Sequence, residues 1–407
     1  MSYRGKDIGN VAVLSTCQML FGTGRGLFMV AAPAVALLPG FAPHLALATL
    51  PAAAVVIGTA LSAWAASMIS RRTGRQAGFL IGTGLATVSG ALCFSAVIYM
   101  NFWLLSLGGL VFGFYSGFAQ LYRFAAADGI SERYRSVAIS LVLAGGVFSG
   151  FAGAGLAIWG ENMVPDSWYS GDVRQFGGTF MFLTGTAVVA AMALVFLRIP
   201  NLTKSQLEGE QRPMSKIMRQ PVFIAAAISA TVGQTVMNFL MTATPIAMIS
   251  ICGHSFAATA NVIAWHTFAM FAPGVFTGLL IRKFGEVTII MVGLLLEAAC
   301  IGIALSGIEV FDFWLSMFLL GVGWNFTFTA ATSLMTTAYT PAERAKTQGM
   351  MNQIIYTVVA CGSLSSGAFI HFFGWNWVNI GAMPLLLIAA TVTLWYAANG
   401  KKIALPT

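Results

Sequence analysis

Runs of about 20 apolar residues, the length a helix needs to cross a bilayer core, recur along this chain with short polar junctions between them. Twelve can be placed, at 9–38, 44–69, 77–99, 102–127, 135–160, 177–198, 221–251, 256–281, 287–307, 312–338, 347–371 and 376–398. Lipid offers no partners to backbone N–H and C=O groups, so each run must satisfy its own. The expected fold class is therefore an all-α membrane protein with twelve transmembrane helices. Composition removes the soluble alternatives. The 407 residues are 58% hydrophobic and 8% charged, where a soluble domain carries about 25% charge. That is too little to cover a water-exposed surface, so soluble enzymes and nucleic-acid modules are excluded. The first run is too long for a signal-peptide core and no small-residue cleavage site follows it, so it is read as a retained helix.

The net charge of +8, from 21 Lys+Arg against 13 Asp+Glu, is distributed unevenly. Arg4 and Lys6 precede span one. Arg71, Arg72 and Arg75 follow span two, and Arg133 and Arg135 follow span four. Lys204, Arg212, Lys216 and Arg219 follow span six, Arg282 and Lys283 span eight, Arg344 and Lys346 span ten. Lys401 and Lys402 close the chain. The odd-numbered junctions hold one basic residue, Arg174, beside acids such as Glu161, Asp166, Asp172, Glu309 and Asp312. Basic loops stay on the cytoplasmic side, so both termini are expected there. Five cysteines (Cys17, Cys93, Cys252, Cys300, Cys361) lie scattered in apolar runs without metal-site or disulfide spacing.

A polar central loop divides the chain into an N-terminal six-helix bundle (1–200), a cytoplasmic linker (201–220) and a C-terminal six-helix bundle (221–407). The halves echo each other at a constant offset of 211. Arg71-Arg72-Thr73-Gly74 matches Arg282-Lys283-Phe284-Gly285, and Glu132-Arg133-x-Arg135 matches Glu343-Arg344-x-Lys346. Two loops sharing one offset argue for a duplicated six-helix unit. This arrangement, with Ser67-x-x-x-Arg71-Arg72-Thr73-Gly74-Arg75-Gln76 after span two, resembles the major facilitator superfamily over the whole chain. The motif departs from that pattern at Ser67, Arg71 and Gln76. Span five has Gly145, Gly146, Gly150, Gly153 and Gly155 but not the glycine-proline pair of drug antiporters; these glycines are read as close helix packing. The resemblance implies two bundles exposing a midplane site alternately to each side.

Ionisable residues at membrane depth are costly and point to function. Arg25, Arg123, His266 and Glu297 are the candidates. Span seven carries Met237-x-x-x-Met241 and span eight His266-x-x-x-Met270, and residues four apart share a helix face. In an antiparallel hairpin turning near Gly253 and His254, Met241 faces His266 and Met237 faces Met270. Thioethers and a neutral imidazole are soft, uncharged ligands that favour Cu(I). Pro245 and Pro273 loosen the two helices beside this set. Methionine is also a common core filler, and plain packing is the competing account.

This tetrad on spans seven and eight resembles the CcoA-like copper importer family (CalT). The resemblance implies a bacterial inner-membrane transporter that imports copper ions by alternating access for cytochrome oxidase assembly. Copper would be cargo, with no cofactor, and would pass to a cytoplasmic copper chaperone. Nucleic acid is not an expected partner; the lipid bilayer is. The same family contains riboflavin transporters with similar motifs, so a carrier of a small organic molecule stands as the alternative. In that reading Arg25 contacts an anion or ring carbonyl, while Asn325, Trp324 and Trp265 line the site and stack on a flat ring. Cys252 is a candidate first contact for copper. Arg123 and Asp128 are expected to pair and snorkel, and Glu297 to face the periphery or a neighbouring helix.

Overall fold

A computed structural model describes residues 2–36, 38–44, 47, 50–128, 130–161, 163–168, 176–199 and 211–399. The ten residues 201–210 of the expected linker, Lys204 among them, lie outside them, as do Asp172, Arg174, Lys401 and Lys402. Each expected span coincides with helix over most of its described residues, with a break at 145–148 inside span five. Among the described residues, nine helices are long and apolar enough to cross a membrane: Leu50–Thr73, Arg75–Ile98, Phe102–Asp128, Arg135–Glu161, Gly177–Leu194, Pro221–Ile246, Glu286–Ser306, Val310–Met335 and Phe372–Asn399. A tenth is span eight, which is bent by 41° between Asn261–Phe271 and Gly274–Phe284. The remaining two expected spans coincide with Ser2–Ala36 and with the first part of a continuous run Arg344–Asn399. That run breaks at Gly374, whose φ of 77° is left-handed and non-helical.

The duplication is visible in the backbone. Gly74 (φ 88°, ψ 160°) and Gly285 (φ 82°, ψ 159°) adopt the same conformation at the junctions after spans two and eight. A side chain there would strain the turn, so glycine is kept in both copies. Elsewhere glycine serves close approach. A Cβ on Gly58 would sit 2.3 Å from the Leu110 carbonyl, and one on Gly113 2.3 Å from that of Val55, so spans two and four touch backbone to backbone. In span five, a Cβ on Gly153 would lie 2.8 Å from the Thr23 carbonyl and one on Gly146 3.1 Å from the Phe271 ring. Gly155 has nothing within 4 Å, so it is not a packing glycine.

The chain divides into two compact units whose edges do not follow the central loop. The first comprises Met1–Ala125, Phe148–Asn201 and Gln348–Tyr356; the second Ala126–Val147, Leu202–Thr347 and Thr357–Thr407. Each thus takes in one segment from the opposite half of the sequence. In the first unit, Arg75 on span three donates to Gln348 Oε1 at 2.5 Å, and Gly349 would meet the Ser67 side chain at 2.9 Å if it had a Cβ. Arg75 is therefore buried rather than a solvated loop charge. In the second, Ser140 donates to the Gly274 carbonyl and accepts from Gly278 N at 2.9 Å, and Ser136 donates to the Gly278 carbonyl at 3.2 Å.

Candidate functional site

Span seven is α-helical over Pro221–Ile246 and continues as a π-helical segment, Ala247–Ile251. The proline at 245 removes one backbone donor, and the wider turn follows directly. The chain reverses at Gly253, with φ 73°, where the hairpin was expected to turn. Ser255 then caps span eight by accepting from Ala258 N at 3.2 Å. The expected lateral pairing does not follow. Among the described residues, spans seven and eight do not pack along each other; each lies along span ten. Gly321 is the reason on the span-eight side. A Cβ there would meet the His266 carbonyl at 2.7 Å and Met270 N at 2.9 Å, so only glycine admits that backbone.

The four sequence-selected ligands are placed as follows. Met237 is buried, Met241 half-buried, Met270 buried and His266 fully buried. His266 Nδ1 lies 2.7 Å from the Met317 carbonyl on span ten. A carbonyl only accepts, so Nδ1 carries the hydrogen and the lone pair is on Nε2. Nε2 is buried and has no partner among the described residues. No group of three His, Cys, Asp or Glu side chains able to hold a metal ion occurs among those residues.

Asn325 is not an open cavity amide. Its Nδ2 donates to the Met270 carbonyl at 2.6 Å and its Oδ1 accepts from Thr277 at 2.7 Å. It binds across the kink of span eight, on both sides of Pro273. Trp324 is also engaged: Nε1 donates to Gln234 Oε1 at 2.7 Å, and the ring stacks on Phe328 at 5.1 Å and meets Phe271 edge-on at 5.8 Å. With 4% of its surface exposed it offers no face to a flat ring. Trp265 is 39% exposed and edge-on to Trp314 and Phe268. Cys252 is a free thiol, half-buried, at the end of the π-helical segment.

Arg25 is half-buried on span one. Arg123 does not snorkel; it is 2% exposed and donates to Gln120 Oε1 and Asn352 Oδ1, each at 2.7 Å. Asp128 lies 3.4 Å from Arg344. Glu297 is fully buried and faces neighbouring helices, with Oε1 where a Cβ on Gly233 would come within 3.2 Å. Neither oxygen has a hydrogen-bond partner among the described residues. Gln120, Gln234 and Asn352 were missed in the sequence. They are ordinary polar residues in apolar runs, and their partners lie up to 229 positions away. Glu343, just before span eleven, was noted only as part of the repeat. It accepts from Arg212 Nη2 at 2.6 Å and from the Arg212 and Thr340 backbone N–H groups at 2.8 and 3.1 Å. Burial raises its carboxyl, but these donors outweigh that and hold it down at about 2.

Residues 231–405 match the family model described as Major Facilitator Superfamily. The chain is 36% identical over 345 residues to the riboflavin transporter RfnT of Brucella anthropi, spanning 84% of this chain and 85% of that protein. It is 29% identical over 368 residues to the MFS-type transporter YddS of Bacillus subtilis, spanning 86% and 82%. Among solved structures, the human organic anion transporter MFSD10 superposes with a TM-score of 0.77 at 14% identity, covering 95% of this chain and 99% of that one. The proton:xylose symporter XylE gives 0.77 at 13%, covering 97% and 96%. At such low identity these two speak for the fold alone. The all-helical architecture and the relatives together show a multi-pass membrane transporter and not an enzyme, and the chain belongs to the major facilitator superfamily.

Proposed function

We propose that this protein carries a small heteroaromatic organic solute of the riboflavin class by alternating access. The observation that carries this reading is the 36% identity to a riboflavin transporter across most of both chains. The packing is compatible with it. Asn325 and Trp324 brace spans seven, eight and ten around the kink instead of offering themselves to cargo. Recognition then falls to groups left accessible, Arg25 and Trp265 among them. The basic even-numbered junctions support placement in a bacterial inner membrane with both termini cytoplasmic.

Copper import is the second reading, and one observation favours it. His266 donates through Nδ1 to a backbone carbonyl and leaves Nε2 bare, the arrangement that orients metal-binding histidines. Met237, Met241 and Met270 would complete a soft site for Cu(I), with delivery to a chaperone and oxidase assembly beyond it. Against it, spans seven and eight lack the lateral packing on which the tetrad was built. The discriminating experiment measures labelled riboflavin and copper uptake in parallel, in cells lacking their own importers. The organic reading expects saturable riboflavin uptake that Met241→Leu and His266→Leu change by less than about threefold. Copper accumulation abolished by the same variants, with no riboflavin uptake, would reverse the assignment.

A further inference from the structure

The first compact unit holds two guanidiniums at membrane depth, Arg25 and Arg123. Arg25 on span one and Arg123 on span four share Tyr356 as an electrostatic neighbour. Tyr356 is 4% exposed. Asn352, one helical turn earlier on the same segment, accepts from Arg123, while its own Nδ2 is buried without a partner among the described residues. Arg25 has no acidic group among its electrostatic neighbours, and it makes no hydrogen bond or ion pair among the described residues. Around Arg25, the described residues are therefore rich in donors and poor in negative charge.

Its surroundings point the same way. Leu27 and Phe28, next to Arg25 along the helix, are fully buried, and Tyr356 beside it is nearly so. Arg25 nevertheless keeps accessible surface. With the buried Tyr356 as its electrostatic neighbour, the Arg25 guanidinium lies on the protein side of span one. A cation at this depth needs a counter-charge, and planar guanidinium donors fit the oxygens of a carboxylate or phosphate better than any other common group. We infer that Arg25, Arg123, Tyr356 and Asn352 form a subsite for an anionic oxygen group, a carboxylate or a phosphate, on the transported molecule. This rests on the organic-carrier reading above and extends it, since riboflavin itself is uncharged. Arg25 and Asn352 supply open donors, Arg123 and Tyr356 the field around them.

The test uses the full chain purified in detergent. Calorimetric titration compares riboflavin, riboflavin 5′-phosphate and a flavin bearing a carboxymethyl group. At least one anionic flavin should bind about tenfold tighter than riboflavin, and Arg25→Gln should shrink that advantage to within about threefold while Arg25→Lys keeps part of it. The phosphate and carboxylate arms identify which oxygen group is preferred. Equal binding of all three flavins, unchanged in Arg25→Gln, would overturn the subsite and leave the flavin reading standing. A second measurement does not depend on flavins: melting in sodium phosphate against sodium chloride at equal ionic strength. Phosphate should raise the melting temperature of the parent chain but not of Arg25→Gln; no difference between the salts refutes the subsite. Failure of every flavin to bind, with the phosphate effect intact, counts against riboflavin-class cargo and for an anion.

Discussion

Asn325 shows how much one side chain can hold in this fold. It joins the Met270 carbonyl, freed at the break of span eight, to the Thr277 hydroxyl beyond it. Asn325→Ala would strand the Met270 carbonyl away from water, while Thr277 keeps its bond to the Pro273 carbonyl, at a cost of about 1–3 kcal/mol. A lower melting temperature of the purified protein checks this. The sequence marked Asn325 as unusual but could not say whether it served cargo or kink, because the answer depends on a backbone carbonyl, and no residue type announces one. The same holds for His266, whose Nδ1 partner is the main chain of Met317. Outside the membrane, Glu343 makes a testable pH statement. Its carboxyl is held at about 2, below the unfolded value near 4.3. Its stabilisation is then complete above the unfolded value and is lost as pH falls from there through about 2. Glu343→Gln should cost about 2 kcal/mol near neutrality, reduced from a fully buried pair because Arg212 is 34% exposed. The variant and the parent should converge when melting is followed down to about pH 2 to 3.

At the scale of helices, contact is set by glycine and proline. Gly58 and Gly113 let spans two and four meet backbone to backbone, and Gly113→Val should prevent recovery of a monodisperse protein by size-exclusion chromatography. Gly155→Ala, with open space around it, should elute and melt like the parent. Pro273 leaves the Ala269 carbonyl without its usual donor and lies at the break of a 41° bend. Pro273→Ala should raise the melting temperature and slow solute uptake. Span positions were legible because hydropathy runs register helix length directly. The partner of each span was not. Index-matching placed span eight against span seven, whereas a single missing side chain at Gly321 brings it against span ten.

For the whole molecule, duplication governs framework and not chemistry. Gly74 and Gly285 share one backbone conformation at the offset read from the sequence. The residues with unusual polarity do not repeat: the counterparts of Arg25, His266 and Glu297 at that offset are Val236, Val55 and Ala86. Symmetry was therefore readable from loops alone, while the site had to be found where symmetry fails. The exchanged segments have a further consequence, for biosynthesis. Gln348–Tyr356 belongs to the unit otherwise built from the first half of the chain. A ribosome making this protein has released more than four-fifths of it before that unit has all its parts, so the early helices must wait in the bilayer, partly unsealed, for a late arrival. Mutations near the C-terminal end can then injure the N-terminal unit first.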